Sequence, residues 1–327
     1  MLNWGVIGTG DISHRLVADL AAIAPTRIRG VWGRRAERAD AFAAEHGIPF
    51  ATAERAELLA RADLDIVYIA TPAHTHLDFA LQALDAGKHV LVEKPMAMSA
   101  ADTETIFAKS REVGRFAMEA MWMRFNPLYV DVLERVAEGT LGEVGSVRAS
   151  FGTPFRARGT KLTPAQAGSA LRDRGIYAVT LAHWFLGEPT SVAASAIFED
   201  GVDIAGHAMS EHAGGGFAQL AWSGVGFLDL SASVSGGHGW ITFDPMFWAG
   251  QLARIHAGSV ERIVGTPDRV EHPRLGNGYR EMLIAVEDAI AIAALEHPWH
   301  DRAATVGIAR TMDAIAAQAA AAPFFTP

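Results

Sequence analysis

Lys94 is the residue whose type and setting point most directly to chemistry. It closes the stretch Lys88-His89-Val90-Leu91-Val92-Glu93-Lys94-Pro95, in which residues 90–92 form the apolar run expected of a buried parallel strand. Ligands of open parallel sheets sit beyond the carboxyl ends of the strands, so Lys94 is predicted to stand at the mouth of the sheet. An ammonium there places positive charge on a reacting oxygen or lowers the pKa of a nearby acid. The alternative for the same residue is a solvated strand end. A second candidate pair is Asp173 and Tyr177, four residues apart and therefore on one face of a helix predicted over 171–186. The helix dipole also favours an aspartate near its start, and tyrosine also serves as an interfacial aromatic.

The elements that must position Lys94 come first in the chain. Residues 2–7 read as a strand, Gly8-Thr9-Gly10-Asp11-Ile12-Ser13 as a tight turn, and the segment through residue 23 as a helix with Ile12, Leu16, Val17 and Leu20 on one side. Gly8 permits the turn, and Gly10 lets a pyrophosphate approach a helix N-terminus. Ser13 stands where the usual fingerprint has its third glycine and is small enough for close helix–strand packing. Strands over 27–32, 65–70, 90–92 and 116–121 alternate with helices over 53–60, 77–85 and 101–113, which predicts a doubly wound sheet with right-handed crossovers.

The tip of the second strand reads Gly33-Arg34-Arg35, with no acid to accept hydrogen bonds from a ribose. Arg34 and Arg38 lie one helical turn apart and can face one phosphate, and a guanidinium stacks well on adenine. The reading is a preference for NADP(H), with NAD(H) still possible; two surface arginines at a helix start are the alternative. His74 and His76 are two apart in a loop with no third ligand nearby, so no metal is expected there, and loop and helix-capping roles beside the cofactor are preferred.

Composition limits the partners. The 327 residues are half hydrophobic, enough for two cores. A net charge of −9 without a long basic run argues against nucleic acid, and the lack of cysteine removes disulfides and thiolate chemistry. No run is long and apolar enough to span a membrane, and no signal peptide is legible, so a cytoplasmic protein is expected.

These blocks together, with Thr71-Pro72-Ala73-His74-Thr75-His76, resemble the glucose–fructose oxidoreductase / inositol dehydrogenase (Gfo/Idh/MocA) family. Met118-Glu119-Ala120-Met121-Trp122-Met123-Arg124-Phe125 is similar to the branch holding dimeric dihydrodiol dehydrogenases and NADP-dependent aldose dehydrogenases. The resemblance implies a Rossmann domain over 1–122, then an α/β domain over 123–327 with a large, mostly antiparallel open sheet for substrate binding and oligomerisation. It implies NADP(H)-dependent hydride transfer at a hydroxyl or carbonyl carbon of a sugar, cyclic polyol or dihydrodiol. Thr9, Asp11, Ile12, Thr71, Pro72, His76, Glu93, Lys94 and Arg124 then join Gly8, Gly10, Arg34 and Arg38 at the cofactor. The family places an aspartate and a histidine or tyrosine at 173 and 177 against the lysine, which makes Tyr177 the acid/base, Lys94 its helper and Asp173 a positioning group. A free phenol near pKa 10 is a poor base, and a neighbouring ammonium corrects that. The same fold also serves glycoside cleavage with a tightly held, redox-cycling cofactor, and non-catalytic cofactor sensing.

This chain departs from the family at Arg172 and Arg174, where apolar residues are usual. Each either points to solvent or faces the pocket and binds a carboxylate or phosphate. Gly168-Ser169-Ala170 is less glycine-rich than the pattern, and the loop 153–169 is long enough to act as a functional cover. A helix is expected over 127–138 and a strand over 143–152, then strands over 202–212, 217–222 and 227–234, with turns at 214–216 and 235–237. Trp222, Phe227 and Trp240 are expected to cover the sheet face in a homodimer or homotetramer. Gly278-Tyr279 opens a helix to Leu295, whose start the resemblance puts near the substrate, and Asp301 caps a last helix that is expected to pack back on the first domain. The expected partner is otherwise a small molecule, with neither nucleic acid nor membrane.

Overall fold

The computed structural model describes residues 2–24, 27–154 and 162–321. Contacts divide the chain into two compact units, Met1–Phe125 with Leu275–Val306, and Asn126–Arg274 with Gly307–Pro327. The segment Leu275–Val306, placed by sequence reasoning in the second domain, thus belongs with the first unit.

The first unit begins with β1 (Trp4–Ile7), α1 (Asp11–Ile23), β2 (Ile28–Trp32), α2 (Ala36–His46), β3 (Ala51–Thr52) and α3 (Arg55–Leu59). It continues through β4 (Ile66–Ile69), α4 (His76–Asp85), β5 (His89–Val92), α5 (Ala100–Val113) and β6 (Ala117–Glu119). The strands form a parallel sheet in the order β3-β2-β1-β4-β5-β6, the doubly wound arrangement whose ligand crevice lies where the order reverses, between β1 and β4. Every residue of β1 and β4 is buried, as are Val90, Leu91 and Val92 of β5. Helices cover both faces of such a sheet, which is why these strands read as unbroken apolar runs.

The second unit holds α6 (Pro127–Ala137), β7 (Val144–Gly152), α7 (Ile176–Leu186), β8 (Pro189–Glu199), β9 (Val202–His212), β10 (Phe217–Ser223) and β11 (Ala232–Gly236). β12 (Gly239–Phe243), β13 (Leu252–Ala257), the short α8 (Val260–Ile263) and β14 (Asp268–Glu271) follow. Its eight strands run β14-β13-β12-β11-β7-β10-β9-β8, antiparallel except where β10 pairs parallel with β7. Two helices remain, α9 (Arg280–Ala291), in the first unit, and α10 (Arg302–Ala321), which begins there and continues in the second.

Several expectations shift. The strand predicted over 227–234 starts only at Ala232, because the Asp229 carboxylate accepts from the Ser231 amide (3.0 Å) and Leu228 is held by the Gly152 carbonyl (3.2 Å). β8 and β12–β14 are not among the strands expected from sequence: in β8 a run of Ala and Ser blurs the two-residue period, and β14 carries a single apolar residue. α9 ends at Ala291 rather than Leu295, because the Leu295 carbonyl accepts from the Ala117 amide beside β6 (3.0 Å). Asp301 caps α10 as expected, accepting from the Ala304 amide at 2.8 Å. Trp222 does not cover the exposed face of the sheet: it is buried, and its indole N–H donates to Asp203 at 3.0 Å. Trp240 is half-buried and stacked on His256, whereas Phe227 is 76% exposed.

Candidate functional site

In the first unit the candidate residues gather at the carboxyl ends of β1, β2, β4 and β5. Gly8 has φ +115°, and a Cβ there would lie 2.6 Å from the Ala70 carbonyl oxygen, so the tight turn between β1 and α1 requires glycine. Gly10 is the N-cap of α1 and has no side chain to cap the helix, while a Cβ built on it would meet nothing within 4 Å. The backbone at Gly10 can thus be approached closely, at the start of a helix whose first-turn N–H groups, those of Asp11 and Ile12 among them, have no partner within the helix. That fits the pyrophosphate of a dinucleotide. Ser13 is fully buried, consistent with close packing at the third fingerprint position, and Thr9 packs its methyl against the Gly33 backbone. At the tip of β2, Arg34 and Arg38 are both exposed, and neither guanidinium has a hydrogen bond or ion pair with a described residue.

At the end of β5 the motif residues divide their tasks. Lys88 spends its ammonium on the carbonyls of Arg61 (2.7 Å) and Leu64 (2.9 Å), so it closes a loop. Glu93 is buried, accepts from the Tyr68 hydroxyl at 2.5 Å and receives the Lys94 amide at 3.2 Å. It therefore fixes the backbone from which half-buried Lys94 projects. His76 is buried with Nδ1 2.9 Å from the Pro95 carbonyl and Nε2 2.9 Å from the Thr71 carbonyl, and burial pushes its pKa down. The ring lies between the loop after β4 and the loop after β5, where its one N–H donates to one of these carbonyls. Thr71 is half-buried, its hydroxyl 2.7 Å from that of Thr75, and Pro72 is exposed.

After β6 the chain makes a 3-10 turn, Trp122–Phe125, where Arg124 lies 5.1 Å from the centre of the Trp299 ring and burial lowers its pKa. Tyr279 also belongs to this unit; its ring centre is 5.6 Å from that of Trp122, and its amide donates to Asp19 at 2.9 Å. Buried Asp19 of α1 also receives the Asn277 amide (2.9 Å) and so fixes the entry to α9. Sequence reasoning missed it because its partners lie more than 250 residues away.

In the second unit, Asp173, Arg172 and Arg174 lie in one π-helical turn, Leu171–Gly175, that leads into α7. Such turns recur at functional sites. The turn interrupts the uniform helix expected over 171–186. Arg174 is only 1% exposed; it donates to Asp173 at 2.8 Å and lies 5.6 Å from the Phe151 ring. Tyr177 is buried, with its ring centre 5.8 Å from Phe151 and 6.5 Å from Trp248, and those two rings stack at 3.5 Å. Tyr177 and Arg174 thus share one aromatic wall. Arg172 instead reaches Asp313 on α10 at 3.1 Å. Neither arginine lies in bulk solvent. Of the proposed covering loop 153–169, residues 155–161 lie outside the described residues.

Asp203 carries no local signal in the sequence. It receives the Leu171 amide at 2.7 Å and the Trp222 indole at 3.0 Å, so it pins the start of the π-helical turn to the sheet. Burial raises its pKa despite these bonds.

His183 of α7 sits behind the turn, its Nε2 2.8 Å from the Thr311 hydroxyl, and burial lowers its pKa to about 4. Above pH 6.5 the ring is neutral whether the chain is folded or not. Between 6.5 and 4 the unfolded chain takes up a proton that the folded one refuses, so stability falls with pH, by up to about 3 kcal/mol from this group. Urea unfolding at pH 7 and pH 4 is expected to show a smaller loss in His183→Gln than in the unsubstituted protein. Equal losses would remove His183 as the cause.

Residues 2–121 match the oxidoreductase family with an NAD-binding Rossmann fold, and residues 129–242 match the GFO/IDH/MocA C-terminal domain. A trans-1,2-dihydrobenzene-1,2-diol dehydrogenase from Xenopus laevis is 33% identical over 252 residues, 76% of each chain. The chain belongs to the Gfo/Idh/MocA oxidoreductase family. A D-xylose 1-dehydrogenase (NADP(+)) from Haloferax volcanii is 32% identical over 96% of each chain. Among solved structures, a 3-ketoreductase from Actinomadura kijaniata in complex with NADP and TDP-benzene superposes with a TM-score of 0.87, at 28% identity over 100% of this chain and 99% of that one. As a member of this family of dehydrogenases and reductases the protein is an enzyme with an NAD-binding Rossmann fold. No described helix is long and apolar enough to cross a membrane.

Proposed function

We propose that this enzyme is an NADP(H)-dependent dehydrogenase or reductase acting on a hydroxyl or carbonyl carbon of a sugar, cyclic polyol or dihydrodiol. The observation that carries the reading is the pair of exposed guanidinium groups, Arg34 and Arg38, without a partner among the described residues, at the tip of the second strand of a dinucleotide fold. They suit a 2′-phosphate, and NADP accompanies both the xylose dehydrogenase and the 3-ketoreductase that this chain resembles. Gly8, Thr9, Gly10, Asp11 and Ile12 would hold the pyrophosphate, and Thr71, Pro72 and Arg124 would flank the remainder of the cofactor, with His76 and Glu93 setting the loops.

When bound, the nicotinamide supplies or accepts hydride. The protein's share is proton transfer and charge. Tyr177 moves the hydroxyl proton, off in oxidation and on in reduction, and Lys94 stabilises charge on the reacting oxygen. Asp173 positions that oxygen, and Arg174 orients Asp173 through their 2.8 Å ion pair. The stacked wall of Phe151 and Trp248 suits the apolar face of a ring-shaped substrate, with Tyr279 a further candidate for contact. A panel of aldoses, inositols and dihydrodiols, followed at the reduced-nicotinamide absorbance with NADP+ and NAD+ in parallel, tests this reading. Net accumulation of NADPH with at least one substrate supports it. Glycoside cleavage without net reduction would favour the redox-cycling alternative, and cofactor binding without either reaction would favour a sensor.

We also propose assembly through the open face of the second unit's sheet. By strand register, Ile197, Met209 and Phe217 project from one face of β8, β9 and β10, opposite the buried Ala208, Ala218 and Trp222. Light scattering is expected to give a homodimer or homotetramer that Met209→Asp dissociates. A monomeric unsubstituted protein would end the proposal.

A further inference from the structure

The geometry points to a transition-metal site, selective for Zn2+ and its neighbours, formed by His14 on α1 and by Glu45 and His46 at the end of α2. His14 Nδ1 lies 2.8 Å from His46 Nε2 and 3.2 Å from Glu45 Oε1, and His46 Nε2 lies 3.6 Å from the same carboxylate oxygen. Among the described residues these are the only three metal-binding side chains whose donor atoms converge in this way.

The spacing suits an ion. Tetrahedral coordination with bonds of about 2.0–2.1 Å puts neighbouring donors about 3.3 Å apart, close to the middle of the 2.8–3.6 Å range seen here. The circle through the three atoms has a radius of about 1.9 Å, so a point at zinc–ligand distance from all three lies just outside their plane. Two imidazoles and one carboxylate favour Zn2+ and similar first-row ions over Mg2+ or Ca2+, which prefer all-oxygen sites. Three protein ligands leave a fourth position for water. That position is reachable, since the side chains of Glu45 and His14 are 61% and 36% exposed and that of His46 is 15% exposed.

The surroundings hold the donors in place. The Phe42 ring packs 4.5 Å from each imidazole and limits their rotation. His46 is the last residue of α2, where the helix dipole favours a cation, and Gly47 ends the helix in the left-handed conformation. A bound ion would clamp the first turn of α1, which follows the Gly8-Thr9-Gly10 loop, to the last turn of α2. Without an ion, a single proton shared between the two rings accounts for the 2.8 Å contact. The experiment has to separate these two cases.

The full-length chain, freed of metal with EDTA, is titrated with Zn2+ against a chromophoric chelator and with Co2+ followed by its visible absorption. The expected result is one Zn2+ per chain, which displaces bound Co2+ and is not displaced by Mg2+, with an affinity weakened more than about 100-fold in His14→Gln and His46→Gln. Zn2+ is also expected to raise the unfolding temperature of the unsubstituted protein and not of His14→Gln. Glu45→Gln changes a mostly exposed side chain; it is expected to fold normally and to bind at least about tenfold more weakly. His207→Gln, an exposed histidine on the sheet face, should leave binding unchanged. No Zn2+ uptake at about 1 mM, or unaltered uptake in Glu45→Gln and both histidine variants, would overturn the site.

Discussion

Tyr177→Phe is expected to lower kcat for hydride transfer by about a hundred- to ten-thousand-fold, the range for loss of a general acid or base. The change removes one oxygen from a ring already held by Phe151 and Trp248, so folding should be unaffected. KM for the cofactor should move by less than about threefold, because the hydroxyl is assigned to the reacting proton and not to dinucleotide binding. Lys94→Ala should lose turnover on a similar scale while keeping cofactor affinity, since Glu93 and the Tyr68 hydroxyl continue to shape the loop. Rates measured with saturating cofactor, together with fluorescence titration of NADPH, check both variants. A Tyr177→Phe enzyme within about threefold of full activity would exclude the phenol as acid/base.

Arg34→Ala is expected to raise KM for NADPH by about 10- to 100-fold and to change KM for NADH by less than about threefold. The first figure follows from losing a charge-assisted hydrogen bond to phosphate, worth about 1.5–3 kcal/mol. The second follows because NADH offers nothing at the 2′ position for a guanidinium to bind. Arg34 is exposed and without a described partner, so its loss should not disturb α2. Arg38→Ala should act in the same sense but more weakly, since Arg38 sits one turn along the helix. KM values for both cofactors, measured on the same preparation, decide the matter. Equal changes for NADPH and NADH would show that the arginines do not read the phosphate.

Residues whose role depends on local backbone were legible in advance. Gly8 and Gly10 announce a turn and a helix start because only a few residues determine both. The apolar run before Lys94 likewise signals a strand buried on both faces. Features that depend on distant partners left no local signal. Asp203 and Asp19 look like ordinary acids until Leu171 and Trp222, or Asn277 and Tyr279, converge on them. The π-helical turn at Leu171–Gly175 was hidden because the same residues suit an α-helix, and only the anchored backbone reveals it. The inward turn of Arg174 was open in sequence and is resolved by Asp173 and the Phe151 ring. His14 and His46 escaped notice because metal motifs are read from short spacings, whereas these two residues sit on separate helices. Trp222 was misplaced because an isolated tryptophan on a strand does not disclose which face of the sheet is buried.

In the proposed reaction, Lys94 and Tyr177 act on the same proton and the same oxygen. Single-turnover hydride transfer in Lys94→Ala, Tyr177→Phe and the double variant tests it most directly. Groups that act as a unit are strongly non-additive, so the double variant is expected to be no slower than the worse single variant by more than about threefold. If the two losses instead multiply, each side chain works independently, and the shared acid/base assignment is wrong.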